Sequence, residues 1–151
     1  MSERIDFYTS SPAGMKALAG IHDYVSKCDL DPSLVELVYL RVSEINGCAY
    51  CIDMHTKVLH KGGMPWDKIV LTKVWAEAGS WFSAAERAAL AWAESLTLIA
   101  QTNAPDALFT QMQAHFSNKA ITDLTVAIGL MNAYNRLAIS HRKLPDSAPR
   151  D

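Results

Sequence analysis

Glu44-Ile45-Asn46-Gly47-Cys48-Ala49-Tyr50-Cys51-Ile52-Asp53-Met54-His55 holds the end of one helix, the start of another and a pair of thiols between them. Asn46 and Gly47 tolerate the left-handed conformation that terminates a helix. A new helix opening near Cys48 places Cys48, Cys51 and His55 at i, i+3 and i+7, on one face. At i, i+3 two Cα atoms stand roughly 5 Å apart, inside the window a disulfide requires. The first helical turn has free N–H groups and the positive end of the macrodipole, so a thiol there is pushed toward thiolate. His55 can exchange a proton near neutral pH, and Glu36 and Glu44 in the preceding helix are candidate carboxylates to steer it.

Two other readings of these residues stay open at this level. Free cysteines are among the most buried residue types, so both thiols could be inert. A structural zinc site needs four ligands; Cys48, Cys51 and His55 supply three, and Cys28, His22 or His60 could complete the set. No second pair with ligand spacing exists in the chain, which favours the redox reading. The expectation is therefore a redox pair with no metal and no cofactor. Cys28, with no mate in sequence, is expected to be inert.

Punctuation along the chain marks helices. Ser11-Pro12 suggests a cap and first position for a helix to about Lys27, and Asp31-Pro32 repeats that signal for a second ending near Asn46. The motif helix should run from about Cys48 to Lys61 and stop at Gly62-Gly63. Met64-Pro65 opens a fourth helix, expected to reach Gly79. Ser83-Ala84-Ala85-Glu86 has the form of a capping box and begins a fifth, expected to run to about Gln101. Pro105 begins a sixth, and Asn118 is the expected cap of a seventh that reaches about His141. Short connections among about seven helices predict an all-α, single-domain bundle over residues 1–144, with 145–151 a frayed, flexible tail.

With 151 residues, 50% of them apolar and 20% charged, the chain is long enough for one well-buried domain. A net charge of −2 and the lack of a basic run argue against nucleic acid as a partner. The first residues lack an apolar h-region and no stretch reaches the ~18 apolar residues of a membrane span, so no membrane partner and a cytoplasmic location are expected. Between Asp123 and Arg136 no residue is charged, and apolar residues occupy every face. Such a helix is either central to the domain or covered by a second subunit, and an oligomer is favoured. Trp66, Trp75, Trp81 and Trp92 read as core residues and the methionines as gap fillers; His22, His60, His115 and His141 read as surface or interface residues.

The run from Glu36 to His55, a glutamate followed after eleven residues by C-x-x-C and x-x-x-H, resembles the core motif of the AhpD-like alkylhydroperoxidases within the carboxymuconolactone decarboxylase superfamily. The resemblance extends through Trp81-Phe82-Ser83 and Glu86–Trp92 to Asn132–Leu137. It implies a helical fold assembling as homotrimers or homohexamers, with peroxidase or disulfide-reductase activity in antioxidant defence. Carried over residue by residue, Cys48 and Cys51 are the redox pair, while Glu36 and His55 form the proton relay. The best-studied members carry a histidine where this chain has Tyr50, and a phenol with a pKa near ~10 is no base at neutral pH, though it can donate a hydrogen bond. Glu44 stands where many relatives have glutamine and could raise the neighbouring thiol pKa by like-charge repulsion. The implied partners are a hydroperoxide substrate and an external dithiol such as a lipoyl group or a redox partner protein. The helix terminus favours Cys48 as first nucleophile, whereas exposure would favour Cys51. A carboxymuconolactone decarboxylase-type enzyme, which works without a cysteine pair, and a non-enzymatic redox-sensing or interaction module are the alternatives.

Overall fold

Most helix ends lie where the chain places residues able to satisfy them. A computed structural model describes residues 2–149 as α1 (Phe7–Ser10), α2 (Pro12–Lys27), α3 (Pro32–Asn46), α4 (Ala49–Lys61), α5 (Trp66–Leu71), α6 (Ala84–Thr97), α7 (Ile99–Thr102), α8 (Asp106–Gln113) and α9 (Asn118–His141). No strand occurs among the described residues. Asp31 caps α3 by accepting from the Ser33 N–H at 2.8 Å, and Ser83 and Glu86 form the reciprocal capping box of α6. Gly47 takes φ 72°, ψ 34° at the end of α3, the left-handed conformation its missing Cβ permits.

Three helix-boundary expectations need correction, and one helical turn was not expected at all. The cap of α9 is Ser117, whose hydroxyl accepts from the Ala120 N–H at 3.1 Å, and Asn118 is the first helical residue. The fourth helix does not run unbroken to Gly79: after Leu71 it tightens into 3₁₀ turns over Thr72–Glu77 and Gly79–Trp81. Arg87 on α6 donates to the carbonyls of Trp75, Ala76 and Gly79, providing the partners an α-helix would otherwise have supplied. The fifth helix breaks at Leu98, where the Thr102 hydroxyl donates back to the Ser95 carbonyl at 2.7 Å. Finally, Phe7–Ser10 forms a helical turn capped by Asp6, a segment that showed no helix signal.

The core is organised around α3. Leu37, Val38, Leu40 and Val42 are each 0–1% exposed, so the helix is buried on nearly every side. One side packs with α2, α6 and α9 through Val38, Val42, Trp92, Leu124, Ile128 and Met131. The other packs with α4, α5 and another face of α6 through Leu37, Leu40, Leu59, Ile69 and Leu90. Each large side chain so buried contributes ~1.5–3 kcal/mol relative to exposure. The apolar α9 is central: Leu124, Ala127, Ile128, Leu130 and Met131 are covered by the chain's own helices, leaving Val126 and Ile139 exposed. Of the four tryptophans only Trp92 is buried; Trp75 is partly covered, and Trp66 and Trp81 stand 50% and 41% exposed, so the core reading fails for those two. In the tail, Ser147 donates to Asp53 on α4 at 2.8 Å. Arg150 and Asp151 lie outside the described residues.

Arg41 joins α3 to α6, donating to Glu94 at 2.8 Å and to Glu44 at 3.2 Å, while the Trp75 indole N–H also donates to Glu94. Burial pushes the Glu44 carboxyl up to about 7 against the opposing pull of Arg41. The folded-state pKa thus lies above the unfolded one. Between about 4.5 and 7 the unfolded chain ionises Glu44 while the folded chain holds it neutral, and stability falls as pH rises. Glu44→Gln removes that titration. Thermal melts of this variant should match the parent near pH 4 and exceed it at pH 8, by ~2 kcal/mol; a difference that does not change with pH would contradict the assignment.

Candidate active site

The site begins at the α3–α4 hinge. Gly47 turns the chain so that Cys48 becomes the N-cap of α4, with its N–H donating to the Ser43 carbonyl at 3.0 Å. The Cys48 Sγ accepts from the Cys51 N–H at 3.3 Å, so a sulfur fills the role usually taken by a Ser or Asp oxygen. Negative charge on that sulfur is favoured by the donor and by the helix terminus. The two cysteines lie at disulfide distance, with Cα atoms 5.3 Å apart, and are 1% and 2% exposed. Ala138 of α9 packs against both.

One helical turn beyond Cys51, His55 is 4% exposed and its Nδ1 lies 2.7 Å from Glu36 Oε2 on α3. An ionised Glu36 makes Nδ1–H the donor and leaves Nε2 as the basic nitrogen. Nε2 has no hydrogen-bond partner among the described residues, an arrangement suited to a group that works on a ligand. The Tyr39 ring, 5.3 Å from the imidazole, supports its orientation from behind. The Tyr39 hydroxyl is likewise unpartnered among the described residues, and burial followed by the Glu36 charge pushes its pKa up.

Cys51, His55 and Tyr50 line a cavity of about 210 Å³, closed on other sides by Tyr8, Met131 and Tyr134 among others. Its wall is mostly apolar, and burial raises the Tyr50 pKa, so this phenol is a neutral donor at physiological pH. Cys48 does not line the cavity. Glu44 is placed elsewhere: it pairs with Arg41 and lines a separate groove with Trp66 and Lys73. Cys28 ends α2, its Sγ 3.0 Å from the Val25 carbonyl, and takes no part in the cavity. No group of three or more His, Cys, Asp or Glu side chains arranged to hold a metal occurs among the described residues.

Several participants carried no signal in the sequence. His22, read as a surface or interface residue, is exposed yet lines this cavity from α2, and Phe7 and Tyr8 reach it from the N-terminal turn. Long-range bonds just before Phe7 and Tyr8 tie that segment to the end of α9: the Arg4 N–H donates to the His141 carbonyl at 2.9 Å and the Arg4 guanidinium to the Ser140 carbonyl at 3.0 Å. A second group holds the hinge itself. Asn46 donates to Asn132 and Asn135 of α9, and Asn135 donates to the buried Ser43 hydroxyl at 3.0 Å, so a satisfied polar network locks the thiol turn to the central helix.

Comparison with known proteins places this geometry in a family. The sequence profile of the carboxymuconolactone decarboxylase family matches residues 12–95. The uncharacterized protein YdfG of Bacillus subtilis (strain 168) is 35% identical over 140 residues, 93% of this chain and 95% of that protein. A crystal structure from Agrobacterium tumefaciens, of a protein of unknown function proposed as the antioxidant defence protein AhpD, is 39% identical with a TM-score of 0.93, covering 99% of this chain and 100% of that one. An AhpD-core, peroxidase-related protein from Ralstonia eutropha JMP134, itself uncharacterized, shares the fold at 19% identity, with a TM-score of 0.82 over 93% of this chain and 74% of that one. With its motif, its helical fold and these relatives in agreement, the chain belongs to the carboxymuconolactone decarboxylase family, in its AhpD-like branch.

Proposed function

We propose that the protein is a thiol-dependent peroxidase and disulfide reductase serving antioxidant defence. The observation that carries this reading is the shared cavity: Cys51 and His55 stand on its wall, and Glu36 holds the far nitrogen of His55. In the reduced enzyme, His55 Nε2 takes the proton of the Cys51 thiol, and Glu36 stabilises the imidazolium. The thiolate attacks the terminal oxygen of a hydroperoxide. The O–O bond breaks, sulfur is oxidised to a sulfenic acid, and the departing alkoxide takes up the proton to leave as an alcohol. Cys48 then attacks the Cys51 sulfur, water departs, and the disulfide closes. The pair's 5.3 Å Cα separation already suits that bond. An external dithiol, such as a lipoyl group or a redox partner protein, reopens it by exchange.

Cavity access supports Cys51 as the first nucleophile, in place of the Cys48 that the helix terminus alone favours, with Cys48 in the resolving role. Cys51→Ser should abolish turnover and leave no trappable sulfenic acid. Cys48→Ser should abolish turnover but accumulate a sulfenic acid at Cys51, detected by dimedone labelling and mass spectrometry. Cys28→Ser should keep the parent rate. His55→Gln and Glu36→Gln should each slow peroxide turnover by ~10²-fold at saturating dithiol, with the helices intact by circular dichroism. Parent-like rates in both would show the pair to be structural. A protein that cycles its disulfide yet turns over no peroxide would be a redox-sensing module.

Assembly belongs to the same reading, as a homotrimer or homohexamer. Since α9 is covered within one chain, support comes from the exposed Trp66 and Val70, which flank one groove on α5; single-chain surfaces seldom leave such residues grouped without a partner. Light scattering should return a multiple of 16.6 kDa, and a monomer at micromolar concentration would refute the assembly.

A further inference from the structure

Three tyrosines from three separate elements converge on the cavity that holds Cys51 and His55: Tyr8 of α1, Tyr50 of α4 and Tyr134 of α9. Their convergence is a tertiary event: the turn that carries Tyr8 is held against the end of α9 by the Arg4 bonds and by the buried Phe7, which packs on His141. None of the three hydroxyls has a hydrogen-bond partner among the described residues; Tyr8 is half-exposed, while Tyr50 and Tyr134 are partly buried. Tyr24, by contrast, donates its hydroxyl to Asp123 at 2.7 Å. Burial raises the pKa of both Tyr50 and Tyr134, and the neighbouring Tyr8 raises each further. Burial keeps the Tyr50 and Tyr134 phenols protonated and able to donate, and none of the three hydroxyls is engaged within the protein.

We infer that Tyr8, Tyr50 and Tyr134 are further catalytic residues, whose hydroxyls hydrogen-bond the oxygens of a compact, apolar organic hydroperoxide at Cys51. This rests on the peroxidase reading and deepens it. The volume of about 210 Å³ lies below the ~300–1,000 Å³ of sites for drug-sized ligands, which suits one ring with a short branch. Aromatic and methionine side chains on the wall, Phe7 and Met131 among them, suit an arene as the apolar body. When the Cys51 thiolate attacks the terminal oxygen and the O–O bond breaks, the departing alkoxide carries the negative charge. A phenol aimed at that oxygen stabilises the charge as it develops. An alkoxide is a far stronger base than a phenolate, so a phenol can hand over its proton and recover one from the imidazolium that took the thiol's. Protons balance, and sulfur alone is oxidised.

The test uses full-length protein and needs no turnover for its first arm. Cumene hydroperoxide would yield 2-phenyl-2-propanol, an inert alcohol that keeps the ring and the oxygen. Chemical-shift titration of the disulfide form with this alcohol should show saturable binding at the cavity. Tyr8→Phe, Tyr50→Phe and Tyr134→Phe, which keep the ring and remove the hydroxyl, should each weaken it by ~3–10-fold, the scale of one hydrogen bond. Tyr24→Phe should leave it unchanged. In the second arm, the reduced protein is mixed with cumene hydroperoxide, and each cavity variant should form the Cys51 sulfenic acid at least ~3-fold more slowly than the parent. No saturable binding, or binding that all three substitutions leave untouched, overturns the proposal. Weakened binding with unchanged sulfenic acid formation overturns its catalytic half. Normal binding in a parent that never turns over peroxide refutes the peroxidase reading instead, and supports a phenol-lined site for a compact apolar alcohol.

Discussion

A carboxylate on α3 and an imidazole on α4 meet at 2.7 Å, with the imidazole only 4% exposed, and this contact constrains everything around the site. A buried imidazole with neither nitrogen paired is costly, so Glu36 must be within reach for His55 to be tolerated there at all. The contact demands that α3 and α4 lie side by side in one register. Gly47 makes this possible by reversing the chain within a single residue, which puts α4 back along α3. The same reversal leaves Cys48 at the terminus of α4 and Cys51 one turn in. Hinge, thiol pair and carboxylate–imidazole contact are thus consequences of one turn.

That turn would be worth little if it could move. Ser43, Asn46, Asn132 and Asn135 form a polar network in which Asn135 is fully buried, and it fastens the end of α3 to the central helix α9. Because both helices are also packed through Val42, Ile128 and Met131, the hinge is held by apolar and polar contacts at once. Rigid placement matters for a pair of thiols whose bond forms within a narrow window of Cα separation. It also keeps the His55 imidazole in place, with Nδ1 held on Glu36.

Local chemistry was legible where it is decided by neighbours in sequence. Asp31, Ser83 and Gly47 act at the helix ends they marked, because caps and left-handed turns involve groups at most a few residues apart. The 3₁₀ segment after Leu71 was not legible, since its carbonyls are satisfied by Arg87, more than ten residues away. Trp66 and Trp81 misled for a related reason: ring size predicts average burial, and the side of the helix pair on which a ring falls depends on packing. Glu44 drew attention by its closeness to Cys48 in sequence, yet Arg41, itself bonded to Glu94, holds it in another groove.

By itself the sequence determined the all-helical class, the thiol spacing and the helix hinge, along with Cys48, Cys51, His55 and Glu36 as the residues to watch. Those follow from interactions within one or two helical turns, and from a motif specific enough to carry Glu36 into the set. Only the tertiary structure decided which cysteine faces the cavity, that α9 is covered by its own chain, and that His22, Phe7, Tyr8 and Tyr134 complete the wall. A cavity is bounded by segments whose meeting costs chain entropy and is repaid by burial across the whole core, so no local pattern records it.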